Sequence, residues 1–369
     1  VGGFYEKNKM MKKKGLIIIA IITAHNAGLA QNVDDALRYS QIFYNGTARF
    51  QSMGGAFTAL GGDLSSLSQN PAGIGVFRSS EISITPQLYY YKSATDFNNS
   101  SSKDNLNDFN LGQAGIVLNL RNRESGTGLV TLNIGYSFNR TNNLNQTIKI
   151  KGTSNKSSLL DYWAEISNGI IDTSLYYEVP DAFLGWYTWL LDTISGTHDS
   201  YGTAYTNYGK YAADYGKDMT RLITNTGYTA EHAISVGGNY SNKLFFGATL
   251  GITKIEYESR FEHSEVSDST LASGFKDFNY TFYYRNWGTG YSLKLGVIYK
   301  PIDPLRIGLS FHTPTYFKIN EYVNDNIVSD VVGKIEDEKS NVASWYNYAL
   351  TTPFRATIGA AYQIRKFGV

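Results

Sequence analysis

The sequence predicts an all-β fold, a transmembrane antiparallel β-barrel with a compact N-terminal plug. Three observations support this prediction. From Glu81 onward, apolar and polar residues alternate with the period of two that is typical of strands. The connections between the alternating stretches are short and long in turn. Aromatic residues make up 14% of the chain, with 29 Tyr, and charged residues only 18%, below the roughly 25% of soluble domains.

The composition limits the classes of fold and function that the chain can have. At 369 residues, the chain is long enough for two or three ordinary domains or for one large barrel. Cysteine is absent, which excludes a disulfide framework and thiolate metal sites. The net charge is +1, and residues 1–30 hold five Lys and one Glu, so the remainder carries about −3. No basic patch indicates a nucleic-acid partner.

The first thirty residues have the pattern of an export signal. Lys12, Lys13 and Lys14 form a basic region, and Gly15–Ala24 is an apolar run too short for a transmembrane helix. The small residues that follow predict cleavage before Gln31. Translation is expected to start at Met10 or Met11. Residues 33–43 then predict a short amphipathic helix with two aspartates near its N-terminus.

Residues 49–77 are rich in glycine and poor in charge. The pairs Gly54-Gly55 and Gly61-Gly62 predict tight turns. Asp63 is a suitable N-cap for a helical turn over 64–68, and Pro71 requires that turn to end near Asn70. A phosphate-binding loop would need a following Lys-Ser/Thr or a strand–turn–helix context. Neither is present, so a packed plug segment is favoured.

This segment resembles the N-terminal hatch of the FadL/TodX family of outer-membrane transporters for hydrophobic compounds. The resemblance rests on Met53-Gly54-Gly55-Ala56-Phe57, Ala59, Asp63 and Asn70-Pro71-Ala72-Gly73. It implies an N-terminal hatch over 31–78 and a partial transmembrane barrel over 79–369. It also implies a complete barrel of about fourteen strands in the bacterial outer membrane.

The alternation predicts about eight strands in the chain, near residues 81–91, 108–120, 127–139, 228–240, 244–261, 278–299, 305–314 and 348–363. A bulge is expected near Gly288 and Gly290. Tight turns are predicted at 121–126, 241–243 and 300–304, and long loops at 92–107, 140–227, 262–277 and 315–347. Short turns on one side and long loops on the other are typical of outer-membrane barrels, with long loops outside the cell. A soluble β-sandwich would not explain that alternation.

The chain is expected to be truncated at its C-terminus. The interior of an eight-stranded barrel is filled by its own side chains, which leaves no space for a plug. Residues 365–369 read as a turn that leads into another strand.

The predicted loop 140–227 contains three helix-like pieces, near 157–168, 181–194 and 208–225. The middle one is apolar almost all round. Such a surface on an outer loop either packs against other loops or contacts a hydrophobic ligand. The candidate ligand-binding residues in it are Phe183, Leu184, Trp186, Tyr187, Trp189 and Leu190.

The sequence offers little support for an enzyme, a cofactor or a metal site. The four histidines of the mature chain, His198, His232, His263 and His312, have no metal-ligand spacing. Ser235 and His232 are predicted to face opposite sides of a strand, which argues against a catalytic pair. A membrane phospholipase remains an alternative.

The resemblance implies passive uptake of long-chain fatty acids or aromatic hydrocarbons across the outer membrane. Gating would rest on Asn70, Pro71, Ala72, Gly54 and Gly55, with apolar ligand contacts from three further residues of the segment, Phe50, Met53 and Phe57. Pro86 is the candidate for a strand distortion, and the third strand reads as uninterrupted. The alternative is a FadL-like barrel that acts as a PorV-like protein-binding shuttle of a secretion system. The expected partners are outer-membrane lipid and a hydrophobic ligand, or a secreted protein in that alternative.

Overall fold

A computed structural model describes residues 33–122, 127–154, 156–210, 217–267, 273–332, 338–341, 343–364 and 367–368. The predicted export signal and its cleavage point lie outside these residues. The chain divides into two compact units, Val1–Gln41 and Ile42–Val369. In the first unit, helix α1 (Val33–Ser40) has Asp34 and Asp35 in its first turn, as predicted, and ends before the predicted limit at residue 43.

The second unit is built on one large, curled antiparallel sheet. The strands, including a separate pair β5 and β6, are β1 (Glu81–Phe97), β2 (Ser100–Asn122), β3 (Leu129–Asn143), β4 (Gln146–Ser154), β5 (Leu191–Thr193), β6 (Tyr201–Thr203), β7 (Lys217–Tyr240), β8 (Leu244–Ser267), β9 (Phe275–Ile302), β10 (Leu305–His312), β11 (Tyr316–Val331), β12 (Glu338–Ser340), β13 (Ser344–Thr351), β14 (Arg355–Ile364) and β15 (Phe367–Gly368). The strand order of the large sheet is β1-β2-β3-β7-β8-β9-β10-β14-β15, and β4, β11, β12 and β13 pair off this path.

Two long strands, β7 and β9, each pair along one edge with two shorter strands in succession. β3 and β4 both pair with β7, and β10 and β11 both pair with β9. Next to them, β14 pairs with β10 and β13 with β11. Among the described residues, β1 and β15 are the two ends of the sheet order and are not paired with each other.

The strands extend much farther than the alternation predicted. The predicted loop at 92–107 is wrong, because β1 and β2 continue to a turn at Asn98 and Asn99, both in the left-handed region that asparagine tolerates. The helix predicted over 208–225 is also wrong, since residues from Lys217 onward form β7. These strands continue beyond the stretches in which apolar and polar residues alternate. Their outer parts are mostly polar on both faces, which is why the sequence pattern there predicts loops.

Two predictions about strand irregularities have different outcomes. The register between β1 and β2 shifts at Thr85/Pro86, where Pro86 cannot donate a ladder hydrogen bond. The bulge predicted near Gly288 and Gly290 is wrong, because both glycines keep regular pairs with β8 and β11. β3 runs as one strand to Asn143, but its register against β7 shifts between Leu129 and Thr131 and between Arg140 and Asn142, so its pairing is not uninterrupted.

The outer face of the sheet carries an apolar band. In β9 the band runs from Tyr291 to Tyr299 and includes Leu293, Leu295 and Val297, all between 41% and 55% exposed. The same levels of neighbouring strands present further large apolar side chains, among them Ile234, Val236, Phe246, Leu250, Leu309 and Phe311. The opposite, inner face carries polar side chains and glycines that contact residues 42–77.

Residues 156–210 form a helical cap. It contains α3 (Leu159–Ser167), α4 (Leu175–Glu178), α5 (Pro180–Tyr187) and the β5–β6 pair. The predicted helix over 181–194 ends at Tyr187, because Trp189 has a φ of +62°, which a helix excludes. Apolar residues of the cap pack on Phe275, Phe278 and Ile327 of the sheet.

Among the described residues, no helix has both the length and the apolar character needed to cross a membrane.

Trp163 is 2% exposed in the core of the cap, whereas its neighbour Tyr162 is 57% exposed. Trp163→Ala should remove roughly 3–5 kcal/mol from the local stability of the cap, because it leaves a large cavity. Limited proteolysis of residues 156–210 measures this effect as faster cleavage. Tyr162→Ala is the control, and equal cleavage of the two variants would contradict the packing described here.

Candidate functional site

The candidate site is the contact between residues 42–77, here called the inner segment, and the inner face of the sheet. The segment contains α2 (Ala48–Ser52) and two 3-10 helices, Leu64–Ser68 and Pro71–Val76. As predicted, Asp63 caps the first 3-10 helix by accepting a hydrogen bond from Ser65 N at 2.8 Å. Its other carboxylate oxygen accepts one from the Thr47 hydroxyl at 2.6 Å. These bonds fix the turns of a segment that has little regular structure.

Asn70 lies fully buried at the centre of this contact. Its Oδ1 accepts a hydrogen bond from Ala72 N at 3.0 Å and thereby caps the second 3-10 helix. Its Nδ2 donates to Thr58 O at 2.6 Å, and it lies 3.4 Å from Val297 O and 3.5 Å from Leu309 O of the sheet. One amide therefore joins two turns of the segment to strands β9 and β10.

A buried ion pair supports the end of the first 3-10 helix. Lys294 of β9 pairs with Glu231 of β7, and its Nζ also donates to Ser68 O at 2.8 Å. His312 Nε2 of β10 bonds to Gln69 O at 2.8 Å. A cation near helix-terminal carbonyls is electrostatically favourable. Charges buried in this way are stable only when paired and hydrogen-bonded.

Other inner-face side chains bind the remaining carbonyls of the segment. Asn133 Nδ2 donates to Ile74 O at 2.6 Å and to Phe77 O at 2.9 Å. The Thr131 hydroxyl donates to Gly75 O at 3.0 Å, and Arg306 Nη1 donates to Leu60 O at 2.7 Å. The sheet thus supplies donors to carbonyls that have no ladder of their own.

A row of glycines makes room for the segment. Gly237 pairs with Gly247, and Gly247 pairs with Gly296, so three glycines stand side by side on β7, β8 and β9. A Cβ at Gly247 would overlap the Pro71 carbonyl, and one at Gly296 would overlap the Asn70 side chain. Glycine is used here because backbone and sheet approach too closely for any side chain.

The predicted gating residues therefore have different positions. Asn70, Pro71 and Ala72 lie at the glycine row. Gly54 and Gly55 both have positive φ, but a Cβ at Gly54 would meet nothing within 4 Å, and one at Gly55 would meet Tyr44. The two glycines form the turn after α2.

The predicted apolar ligand contacts in the segment are mostly buried within it. Phe50 is 2% exposed and Phe57 0%. Their rings pack together with centroids 5.1 Å apart. Met53 instead lines a cavity of about 620 Å³ at the tight-turn end of the sheet.

This cavity combines apolar and charged groups. Met53, Leu60, Val76 and Phe77 give it apolar surface, and three arginines, Arg49, Arg78 and Arg306, give it positive charge. Two acids, Glu81 and Asp303, also line it.

The predicted loop residues divide into two groups. Leu184 and Leu190 are fully buried in the cap core. Phe183, Trp186 and Tyr187 form a partly buried aromatic group in which Phe183 contacts both of the other rings. Trp189 has its carbonyl bonded by the Tyr208 hydroxyl at 2.7 Å.

The sequence reasoning missed the residue that anchors the cap. Glu265 of β8 is 0% exposed. It accepts hydrogen bonds from Ser158 Oγ at 2.7 Å, Leu159 N at 2.8 Å, Tyr205 Oη at 2.6 Å and His263 Nε2 at 2.9 Å. Burial raises the pKa of this carboxyl, but these hydrogen bonds outweigh it and the pKa is lowered. No spacing in the sequence connects residues so far apart.

A second acidic contact joins the cap to the sheet. Asp325 of β11 lies near Asp181 of α5, and Asn341 Nδ2 donates to Asp325 Oδ2 at 2.8 Å. Burial raises the pKa of Asp325 to about 7, and the hydrogen bond with Asp181 adds to this rise.

The two residues weighed as a catalytic pair, His232 and Ser235, lie apart. His232 lies on the outer face, where Tyr136 Oη is 2.7 Å from its Nδ1, whereas Ser235 lies buried on the inner face beside Thr249. The two residues therefore face opposite sides, as predicted. No group of metal-binding side chains occurs in the part of the chain that the structure describes.

Comparisons with known proteins give no family for this chain. No family model matches it, and no curated protein matches it. Two solved structures of OmpT, an outer membrane protein of Vibrio cholerae, match weakly: a loop L8 deletion mutant and the in-vitro folded trimer form. Each is 11% identical and covers 77% of this chain and 99% of its own, with TM-scores of 0.11 and 0.10. Similarity this low carries no argument, so the resemblance to the FadL/TodX hatch stays a prediction.

Gly296→Val should displace the inner segment, because the added side chain overlaps Asn70. The chain has no cysteine, so Ser66→Cys, at a fully buried position of the segment, gives a single reporter thiol. Labelling of this thiol should be faster in Gly296→Val than in the parent. Leu295→Val, on the outer face, is the control, and unchanged labelling in Gly296→Val would refute the close contact.

The Asp325 contact should depend on pH. The folded-state pKa of Asp325 is raised from 3.8 to about 7. Its stabilising contribution is therefore present at low pH and lost as pH rises between these values. The protection factors of hydrogen exchange in α5, which are corrected for the base-catalysed rise in intrinsic exchange, should be lower at pH 8 than at pH 6. Asp325→Asn should remove this difference. The control is Asp330→Asn. Asp330 lies in the same strand as Asp325 and forms an exposed ion pair with Lys276, so this variant should retain the pH difference.

Proposed function

We propose that this protein is an outer-membrane β-barrel in which residues 42–77 form a hatch that controls passage of hydrophobic or amphiphilic molecules. The proposal rests on the position of the inner segment and on the hydrogen bonds that hold it. It lies on the polar face of the sheet and is held by donors from three strands, namely Asn133 and Thr131 of β3, Lys294 of β9, and His312 and Arg306 of β10. The opposite face carries the apolar band.

The two faces favour a membrane barrel over a soluble sheet. An apolar band with tyrosines at both edges suits a hydrocarbon layer with its two interfaces. A sheet with one apolar face exposed to water would be an aggregation hazard. Bilayer contact on one side and a hydrogen-bonded segment on the other satisfy both faces. We further propose that the sheet closes into a barrel, as a membrane requires of any strand edge.

The ligand class follows from the cavity and the cap. An anionic amphiphile such as a long-chain fatty acid would place its carboxylate near Arg49, Arg78 and Arg306 and its tail near Met53 and Val76. The aromatic group of Phe183, Trp186 and Tyr187 would offer a first contact on the outer side. No catalytic step is needed for such passage, so we propose that the protein is not an enzyme.

The hatch would open by exchange of contacts. A ligand favours an open state only if it binds that state more tightly. Entry of a carboxylate beside Arg306 would compete with the Leu60 carbonyl, which the same guanidinium holds. Loss of that bond would loosen the turn before Asp63, and the attachments to β9 and β10 would then be those of Asn70, Lys294 and His312.

One observation favours a second candidate, a protein-binding shuttle of a secretion system. Leu184 and Leu190 are used in the cap's own core, so much of the predicted hydrophobic loop is not available to a ligand. A cap stabilised in this way would suit a rigid docking surface for a protein.

The test compares Asn70→Ala with Asn225→Ala, a buried asparagine of β7 that has no bond to the hatch in the structure described here. Conductance of planar bilayers should rise in Asn70→Ala, because an attachment of the hatch is lost, and stay unchanged in Asn225→Ala. Uptake of a labelled long-chain fatty acid by cells that lack their own outer-membrane fatty-acid transporter should be restored by the wild-type protein.

Native mass spectrometry of gently extracted protein separates the two candidates. A co-purifying fatty acid that is lost in Asn70→Ala supports transport. A folded, inserted protein that restores no uptake and retains a stoichiometric envelope or secreted protein would reject transport and support the shuttle.

A further inference from the structure

The outer face carries a row of evenly spaced cations just beyond the apolar band. Arg140 of β3 pairs with Ala230 of β7, and Ala230 pairs with Lys254 of β8. Lys254 pairs with Thr289 of β9, and Thr289 pairs with Lys318 of β11. Six neighbouring positions therefore read cation, Ala, cation, Thr, cation, Ala, since Lys318 pairs with Ala349 of β13.

The row follows the edge of the apolar band at one height. On four of the six strands, the row lies two residues beyond an apolar side chain of the outer face: Thr289 beyond Tyr291, Lys318 beyond Tyr316, Lys254 beyond Ile252 and Arg140 beyond Phe138. This edge is the one opposite the tight turns at 241–243 and 303–304.

The spacing suits separate headgroups. Adjacent strands lie ~4.8 Å apart, so cations on every second strand are ~10 Å apart. Thr289, between Lys254 and Lys318, is shorter than either cation and leaves room for a group between them, whereas Ala230, between Arg140 and Lys254, is fully buried. Lys254 and Lys318 are exposed.

Two of the three cations in the row differ in their partners from the cations farther along the same face. Lys254 Nζ donates to the neutral Thr289 hydroxyl at 2.8 Å. Arg140 lies 4.6 Å from the Tyr228 ring centre, donates to Leu111 O and interacts electrostatically with Asp108. Farther from the band, Arg285 pairs with Glu256 and Glu258, and Arg260 pairs with Glu262. Among the described residues, carboxylates thus pair with Arg285 and Arg260, which lie farther from the band, whereas Lys254 and Lys318 have no such ion pair.

We propose that Arg140, Lys254 and Lys318 bind the phosphate groups of lipids in the outer leaflet. The proposal rests on the membrane placement in the proposed function. At the edge of the hydrocarbon layer, headgroup phosphates lie at the height of these three side chains. Lys and Arg stems follow the apolar surface and place their charges at the interface, where each adds to the attraction of anionic lipid.

The experiment measures binding of phosphatidic acid to purified protein in detergent by native mass spectrometry. Diacylglycerol with the same acyl chains is the phosphate-free comparison. The variant Arg140→Gln/Lys254→Gln/Lys318→Gln should bind phosphatidic acid about 100-fold more weakly than wild type. Binding of diacylglycerol should be weak and the same in both proteins.

The control variant Lys149→Gln/Lys151→Gln/Lys276→Gln removes the same charge elsewhere. Lys149 and Lys151 pair with Leu222 and Thr220, eight and ten residues farther along β7 than Ala230. Its affinity for phosphatidic acid should equal that of wild type. An equal loss in both variants, or no loss in the first, would overturn the site.

Flotation with neutral phosphatidylcholine vesicles keeps the two proposals apart. Wild type and the row variant should both float, because the apolar band alone is expected to hold them in the bilayer. Failure of wild type to float would reject the membrane proposal itself, whereas flotation with unchanged phosphatidic acid affinity would reject only the lipid site.

Discussion

The structure depends on one requirement: the backbone of the inner segment must find hydrogen-bond partners where it has no regular ladder. Its 3-10 turns leave carbonyls such as Ser68 O, Gln69 O and Phe77 O to be bound by side chains of the sheet. The inner face supplies donors from Lys294, His312 and Asn133. Buried carbonyls without such donors would each cost roughly 1–3 kcal/mol. The polar character of one sheet face is therefore explained by what it covers.

Glycines let the backbone of the inner segment come close enough to the sheet to form these hydrogen bonds. Donor side chains reach the segment only if its backbone lies close to the sheet, and Gly237, Gly247 and Gly296 form a row in which Cβ atoms are absent. Asn70 then spans the contact from within the segment. Side-chain amides and glycines thus act together, which is why the proposed control of passage is assigned to this contact and not to the turn of Gly54 and Gly55.

The cap is attached by a different chemistry. Glu265 and Asp325 are acidic groups that meet hydroxyl, amide and carboxyl groups of the cap. Their pKa values shift in opposite directions, because Glu265 is surrounded by donors whereas Asp325 faces a second carboxyl. The protonation of Glu265 therefore does not change near pH 7, whereas that of Asp325 does, so only the attachment at Asp325 depends on pH there.

The sequence by itself determined the strand periodicity, the two faces and the capped turns of residues 63–71, because these features depend on neighbours along the chain. It did not show the strand extensions beyond the apolar band, since polar alternation there has no apolar signal. It also placed Leu184 and Leu190 at a ligand surface, whereas packing on β9 and β11 buries them. The glycine row, the Glu265 contacts and the aligned Arg140, Lys254 and Lys318 depend on strand register. Register is a relation between distant segments, so only the tertiary structure decided them.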